Sequence, residues 1–198
     1  MTNPIIDSLL TRTSLAGAFM KAPAPSDEEL QQILGAAQRA MDHGRLRPWR
    51  FFIVRPEHYE VFFDRLAEAA TRVQGDPARY TQNREKYRLT ARAPLVVVAA
   101  AHIDPAHKVA PIEQAFAAAG ATQLVLNAAH ALGYAAFLFS GAGVFDAQFK
   151  AGFGLESQDH LIGFICLGTA GGPGKPGPTA ADAVKTGLES TVRQWAPT

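Results

Sequence analysis

Residues 114–145 contain no Asp, Glu, Lys or Arg. The stretch through Phe139 is long enough to span a membrane as a helix, but polar side chains interrupt it and alanine contributes little to membrane insertion. A glycine and a tyrosine, Gly133 and Tyr134, then indicate the end of a helix, and a strand is predicted at Ala135 to Phe139. The stretch therefore predicts a buried helix of a soluble protein. The interrupting residues are Gln114, Gln123, Asn127 and His130.

This predicted helix is small and apolar on all its faces, so each face needs a neighbour to exclude water. A chain of 198 residues has few elements that can cover such a helix from every side. A second copy of the chain is a natural source of the missing cover. We therefore predict an intimate homodimer.

Composition and charge favour small-molecule chemistry. The chain fits one domain, residues 1–198, with a Gly/Pro-rich connection and tail from about residue 170. Its formal charge of +1 supplies no general field for a nucleic acid or an anionic membrane. The N-terminus lacks the features of a secretory signal, and the single cysteine, Cys166, lies in an apolar run and excludes a disulfide within the chain. We expect a cytoplasmic protein with no nucleic-acid or membrane partner.

The remaining elements follow from apolar periodicity and capping signals. Helices are predicted from a capping box at Ser26–Glu29 to about residue 41, from Pro56 towards residue 74, and as a short helix at 144–152. Strands are predicted at 49–54, 95–101 and 161–167, with the second covered on both faces and central. The basic stretch 84–92 is expected to be an exposed helix, which is either a solvated face or a surface that steers an anionic dinucleotide.

Several catalytic patterns are missing from the sequence. No Gly-x-Gly-x-x-Gly follows a predicted strand, and no Walker-type Gly-Lys-Ser/Thr occurs. The histidines form no His-x-x-x-His pair. Ser140 follows a strand, but Leu138 stands where a nucleophile turn has glycine. We predict no metal site and no protein nucleophile.

Two clusters carry the candidate chemistry. Arg12, Thr13 and Ser14 offer a guanidinium and two hydroxyls within three residues, a combination suited to a phosphate monoester. Arg39 and His43 lie four residues apart near a predicted helix end. Either cluster is also explained by cations that compensate the dipole at a helix C-terminus.

In their order along the chain these segments resemble the nitroreductase family, and within it the short YdjA-like branch of flavin mononucleotide (FMN)-dependent oxidoreductases. The similarity spans nearly the whole chain. It rests on Arg12-Thr13-Ser14, Arg39-Ala40-Met41-Asp42-His43, Pro48-Trp49, Phe51-Phe52, His107-Lys108-Val109, Gly133-Tyr134, Ser140-Gly141, Ile162-Gly163-Phe164 and Leu167-Gly168-Thr169.

The resemblance implies an α+β fold with a central mixed or antiparallel sheet flanked by helices, in an intertwined homodimer with FMN at the subunit interface. It implies that Arg12, Thr13 and Ser14 hold the flavin phosphate and ribityl chain, with Arg39 and His43 reaching the cofactor from the partner subunit. Leu138, Phe139 and Ser140 would line the flavin. The implied reaction is ping-pong transfer from NADH or NADPH to a nitroaromatic, quinone or similar acceptor.

Three positions depart from the pattern of the family. A second arginine is common where Thr13 stands, and this branch has a tryptophan and an arginine where Leu138 and Phe139 stand. Charge-assisted hydrogen bonds contribute about 1.5 to 3 kcal/mol each, so the loss of two cations predicts altered flavin binding. An alternative is therefore a flavin-binding or flavin-delivering dimer of the same fold with little turnover.

Overall fold

The computed structural model describes residues 3–90, 92–172 and 191–195. Its α-helices are α1 (Pro4–Thr11), α2 (Asp27–Ala36), α3 (Tyr59–Gln74), α4 (Tyr80–Thr90), α5 (Pro111–Ala131) and α6 (Ala147–Ala151). Its strands are β1 (Met20–Lys21), β2 (Trp49–Val54), β3 (Leu95–Ala101), β4 (Ala135–Phe139) and β5 (His160–Ala170).

Strand β5 is the centre of the sheet. It pairs with β3 on one side and β4 on the other, so that Leu167 lies opposite both Leu95 and Ala136. Strand β2 pairs with the far side of β3, and β1 pairs with the last residues of β5. All these pairings are antiparallel. The described sheet is therefore the antiparallel form of the α+β fold that the sequence predicts.

The two faces of the sheet support two apolar cores. Every residue of β3 is buried, and successive side chains of a strand point to opposite faces. Val96 and Val98 pack into the core beneath α3 and α6, whereas Leu95 and Val97 pack into the core beneath α2 and α5. The continuous apolar run predicted at 95–101 is thus confirmed as a central strand covered on both sides.

Helix α5 is covered on its inner face only. Ala118, Ala121 and Val125 are fully buried against the sheet. On the outer face Ile112 is 58% exposed and Phe116 is 56% exposed. Within the described residues of one copy, the apolar surface for which the sequence predicts a second subunit therefore stays exposed.

No helix among the described residues is long and apolar enough to cross a membrane.

Most predicted boundaries agree with the structure. The strands at 49–54, 95–101 and 135–139 are confirmed, and β5 is longer at each end than the predicted 161–167. Burial raises the pKa of the Cys166 thiol to about 12, consistent with a small buried apolar side chain. The helix predicted to reach Met41 ends earlier, because a 3-10 turn (Ala37–Arg39) follows α2 and Ala40 is already extended. The predicted tail from residue 170 lies largely outside the described residues.

The basic face of α4 is paired with acidic residues of α3. Arg84 bonds to Glu60 at 2.9 Å and also to Asp64. Arg88 bonds to Glu60 at 3.1 Å. These ion pairs neutralise much of the positive charge in the stretch 84–92. They favour the interpretation of this stretch as an ordinary solvated face rather than a steering surface.

We expect Asp146→Ala to lower the free energy of unfolding by about 2 to 3 kcal/mol, because it removes a helix cap and a charge-assisted pair. The buried Asp146 carboxylate accepts the Phe149 backbone N–H at 2.7 Å and two guanidinium bonds from Arg72, at 2.8 and 3.0 Å. The Arg72 bonds lower the pKa of this carboxyl. The contribution of the ionised Asp146 carboxylate to the free energy of unfolding is therefore complete above the usual Asp pKa. It is lost as pH falls through the lowered pKa of Asp146 in the folded protein.

Urea denaturation at neutral pH and in acid tests this expectation. Asp76→Ala is the matched control, since Asp76 also caps a helical turn and pairs with an arginine, Arg79, but at the exposed surface. The control should lose no more than about 1 kcal/mol. Equal losses for the two variants would contradict the assignment.

Candidate flavin site

The first candidate cluster lies where α1 ends beside β4. Asn3 caps α1, Pro4 occupies its first turn, and Arg12 leaves the helical conformation as the C-cap. The Leu15 backbone N–H then donates to the Ala136 carbonyl of β4 at 3.2 Å. This bond lays the segment 12–15 along the strand. Thr13 and Ser14 remain exposed there, with their hydroxyls available to a ligand.

Arg12 carries an unsatisfied buried donor. Its Nη1 atom is the one buried side-chain nitrogen or oxygen atom without a hydrogen-bond partner among the described residues. A buried donor without an acceptor costs about 1 to 3 kcal/mol. An anion beside Arg12 and the exposed hydroxyls of Thr13 and Ser14 would remove that cost. The residues present therefore fit a phosphate group such as that of FMN.

The second candidate cluster lies at the other end of α5. His43 Nδ1 lies 2.7 Å from Glu113 Oε2 in the first turn of the helix. Asp42 shapes the loop that carries His43, because its carboxylate accepts the backbone N–H groups of Leu46 at 3.1 Å and Arg47 at 2.8 Å. The structure thus fixes the histidine ring through one carboxylate and its loop through another.

The loop after His43 has an unusual backbone. Gly44 has φ of 81°, and the non-glycine residues Arg45 and Arg47 have φ of 57° and 48°. Side chains other than glycine rarely adopt this left-handed region, and such residues concentrate at functional sites. Arg39 lies on the 3-10 turn just before this loop and is exposed. Arg39, His43, Arg45 and Arg47 therefore lie within nine residues of one another in sequence, and His43 among them contacts the first turn of α5.

The two clusters are far apart in one protomer. His43 contacts Glu113 in the first turn of α5, whereas the Arg12 cluster lies against His130 in its last turn. With a rise of 1.5 Å per residue these two helix positions are about 25 Å apart. Within the described residues of one protomer, His43 is therefore not brought to the Arg12 cluster.

The end of β4 gives different environments to the three residues predicted there. Ser140 is exposed immediately after the strand, and Leu138 is partly buried. Phe139 is 7% exposed and packs on Phe164 with ring centroids 5.1 Å apart. The Phe139 ring belongs to the core beneath α3, so Leu138 and Ser140 are the more accessible members of the trio.

Gly141 is needed for close packing behind this strand end. A Cβ atom at this position would lie 2.5 Å from the hydroxyl oxygen of Tyr87, which is buried. The backbone after Ser140 therefore approaches α4 more closely than any other residue type allows. This packing fixes the position at which the Ser140 hydroxyl leaves the sheet.

Exposed apolar side chains lie on α1, on α5 and beside the Arg39 turn. Ile5 of α1 is 70% exposed, as is Met41 next to the Arg39 turn. Ile112 and Phe116 are exposed on the outer face of α5, and Met41 lies beside Gly120 of the same helix. Apolar side chains at this density are typical of a surface that another molecule covers.

A groove of about 540 Å³ lies on the other face of the sheet, between α3 and α6. Its lining includes Val61, Arg65 and Phe153. None of the eight residues predicted to contact a flavin lines this groove. The described residues also contain no group of three or more His, Cys, Asp or Glu side chains placed to hold a metal ion.

The sequence pattern missed three residues that organise these clusters. Asp42 holds the loop that follows His43, and Glu113 bonds to the His43 ring. In the sequence, Asp42 looks like an ordinary loop residue and Glu113 like an ordinary residue of a helix N-terminus. His130 bonds to a residue 119 positions away in sequence. The Asp42 carboxylate contacts backbone groups four and five residues further along the chain, whereas the other two contacts depend on tertiary packing.

Comparisons with known proteins identify the family of this chain. The sequence model of the nitroreductase family matches residues 9–169. The chain belongs to the nitroreductase family. YdjA of Escherichia coli (strain K12), which is named among the NAD(P)H nitroreductases, is 34% identical over 164 residues, covering 83% of this chain and 87% of YdjA. A similarly named Haemophilus influenzae protein is 34% identical over 167 residues, covering 82% of this chain and 86% of the relative.

Solved structures share the nitroreductase fold. A nitroreductase-like family protein from Bacillus cereus superposes with a TM-score of 0.80 at 17% identity, covering 100% of this chain and 98% of that one. A nitroreductase with bound FMN from Bacteroides fragilis gives a TM-score of 0.65 at 18% identity, covering 85% and 89%. The α+β fold predicted from the sequence is therefore confirmed.

We expect Arg12→Met to leave the flavin-free protein as stable as the wild type, or more stable by about 1 kcal/mol, because it removes an unsatisfied buried donor. Arg72→Met is the matched control and should lower the free energy of unfolding by about 2 kcal/mol, because it leaves the buried Asp146 carboxylate without its cation. Chemical denaturation of flavin-free samples at one protein concentration measures both. A clear loss for Arg12→Met would mean that Arg12 is a structural rather than a ligand-binding side chain.

Proposed function

We propose that this nitroreductase family member is an FMN-dependent oxidoreductase. It passes reducing equivalents from NADH or NADPH to a nitroaromatic, quinone or similar electron-poor acceptor. The unsatisfied buried Nη1 atom of Arg12, next to the exposed Thr13 and Ser14 hydroxyls, is the observation that carries this proposal. The relatives named as NAD(P)H nitroreductases and the FMN-bound neighbours of the same fold support it.

The proposed cradle for FMN has three parts. Arg12, Thr13 and Ser14 hold the phosphate and the ribityl chain. Leu138 and Ser140 line the flavin at the end of β4, with Phe139 shaping this end from within the core. Arg39 and His43 reach the cofactor from the partner subunit, with the His43 ring held by Glu113 of its own chain.

The chain's own residues bind and orient in this proposal, and none acts as a nucleophile. FMN, when bound, supplies the hydride chemistry. Arg39 and His43 place hydrogen-bond donors where negative charge develops, which is the usual protein contribution to such catalysis. The nicotinamide donor and the acceptor would use one pocket in turn, in a ping-pong sequence.

A two-fold dimer would bring the separated clusters together. If the outer face of α5 packs on its own copy across a two-fold axis perpendicular to the helix, the two helices run antiparallel. The His43 end of one α5 then lies beside the Arg12 end of the other. The same contact would cover Ile112 and Phe116, which are exposed in one protomer. We therefore propose a homodimer with two shared flavin sites.

We further propose that residues 1–198 form one domain and act in the cytoplasm on small molecules, without a nucleic-acid or membrane partner. Both cores are built on one sheet, which supports a single unit. The formal charge of +1 supports the exclusion of polyanionic partners.

A flavin-binding or flavin-delivering dimer is the second candidate function. Thr13 replaces a cation of the family pattern, and the buried Phe139 replaces another, which favours weaker retention of the phosphate. This candidate predicts bound or exchangeable FMN that either nicotinamide reduces slowly.

An absorbance experiment tests the proposed function. The purified protein is reconstituted with FMN and desalted, and NADH or NADPH is added without oxygen. Retained yellow colour that bleaches rapidly and returns on addition of a quinone or nitroaromatic is the expected result. Colour that persists would favour the delivery function. A protein that stays colourless after reconstitution would overturn both.

We expect Arg12→Ala to weaken FMN binding at least tenfold, because one charge-assisted bond contributes about 1.5 to 3 kcal/mol and tenfold affinity corresponds to about 1.4 kcal/mol. Titration of flavin fluorescence measures the change. Arg79→Ala, on an exposed turn paired with Asp76, is the control and should bind as the wild type does. Unchanged affinity in Arg12→Ala would discard the phosphate assignment.

We expect Phe116→Glu to convert the dimer into a monomer and to abolish FMN retention, because it places a charge in the proposed interface. Sedimentation velocity gives the mass, and absorbance gives the flavin content. Val73→Glu is the control, since Val73 is also an exposed apolar residue but lies on α3. A dimer that persists in Phe116→Glu would exclude this surface as the interface.

A further inference from the structure

His130 lies in the last turn of α5, next to the Arg12 cluster. Its Nε2 atom is 3.3 Å from the Thr11 hydroxyl oxygen. That hydroxyl already donates its hydrogen to the Asp7 carbonyl at 2.7 Å. The hydroxyl can therefore only accept from the ring, so Nε2 carries a proton. Nδ1 is then the nitrogen that gains a proton when the ring becomes charged.

Several elements pack around His130, and they supply few charges. Helix α1 brings Arg12 and Asp7, and α2 brings Glu29, whose carboxylate bonds to the Tyr134 hydroxyl at 2.6 Å. Residues 13–15 and β4 contain no charged side chain. Burial and the positive charge of Arg12 lower the pKa of His130. The ligand-free protein therefore keeps the ring neutral at neutral pH.

The local helix ends disfavour an anion unless cations are added. Arg12 follows the C-terminus of α1 and His130 precedes the C-terminus of α5. Helix C-termini carry partial negative charge from their free carbonyl groups. A phosphate at this position consequently needs more than the single positive charge of Arg12. Thr13 does not supply a second one.

We propose that His130 is the second cation of the phosphate site, and that it becomes protonated when the phosphate of FMN binds beside Arg12. This inference rests on the proposed FMN site and adds a residue that the family pattern does not supply. The phosphate dianion compensates the repulsion between the imidazolium and the Arg12 guanidinium. The histidine thus replaces a permanent cation with one that is formed only when the anion is present.

The proposal predicts a pH dependence with a defined sign. Binding of the phosphate raises the pKa of His130 from its lowered value in the ligand-free protein. The gain in affinity is therefore complete below the ligand-free pKa, and it is lost as pH rises through the pKa of the complex. The second ionisation of the phosphate itself, near pH 6, contributes equally to any variant that lacks the histidine.

The experiment compares the wild type with His130→Gln, which retains a donor for the Thr11 hydroxyl. Dissociation constants for FMN and for riboflavin, which has no phosphate, are measured at pH 6 and pH 8. The variant should bind FMN more weakly than the wild type at pH 6, by up to about tenfold for each pKa unit by which binding raises the pKa of His130, and nearly equally at pH 8. Riboflavin should bind the two proteins equally at both values.

A second measurement follows the proton directly. Calorimetric titration of FMN in buffers of different ionisation enthalpy gives the protons taken up on binding, and the wild type should take up more than His130→Gln. His58→Gln, which changes an exposed histidine on the far face of the sheet, should match the wild type.

The outcomes separate this inference from the function on which it rests. Tight FMN binding with equal proton uptake and equal pH dependence in the wild type and His130→Gln would overturn the role of His130 alone. Equal weakening of riboflavin and FMN in the variant would also overturn it, since the effect would not involve the phosphate. No FMN binding by the wild type at either pH would overturn the proposed function itself.

Discussion

The packing of α5 on the sheet determines most of this structure. Ala118, Ala121 and Ala129 are fully buried, so small side chains let the helix lie close to the strands. The opposite face carries larger apolar groups, Ile112 and Phe116, that no described residue covers. A helix of this kind is stable only when both faces are removed from water. Folding and assembly are thus coupled through one element in the account we propose.

The length of α5 also sets the distance between the two candidate clusters. Gln114 holds the loop before the helix, since its side chain donates to the Asp104 and Val109 carbonyls and accepts from the Asp104 N–H, each at 2.9 Å. Glu113 holds His43 at the same end. At the other end the Arg12 guanidinium has an unsatisfied nitrogen. The polar side chains at the first end of α5 therefore have partners within the protomer. At the second end, Arg12 retains a donor for a ligand.

The sequence predicted elements whose signals are local. Strands β2, β3 and β4 follow from short apolar runs, and the end of α5 follows from Gly133, whose φ is 84°. The early end of α2 was not predicted, because the periodic apolar residues continue past the point where the helix tightens. Helical periodicity reports which face is apolar, not where the hydrogen-bond pattern changes.

For the candidate site, the sequence predicted residue types better than their environments. Arg12 was identified by chemistry, but its unsatisfied nitrogen depends on the contact between α1 and α5. The inward direction of Phe139 depends on the register of β4 with β5, which places it opposite Phe164. The contact between His130 and Thr11 joins residues 119 positions apart. Contacts of this kind arise from tertiary packing and leave no local pattern.

The central claim is that each flavin site takes the Arg12 cluster from one subunit and His43 from the other. Heterodimers of Arg12→Ala and His43→Ala subunits, isolated with two different affinity tags, test it most directly. We predict one tightly bound FMN per heterodimer, because one site would keep both native residues while the other would lose both. Either homodimer of the variants should bind weakly at both sites. A heterodimer with no tight site would contradict the shared-site account and place both residues on a site within one subunit.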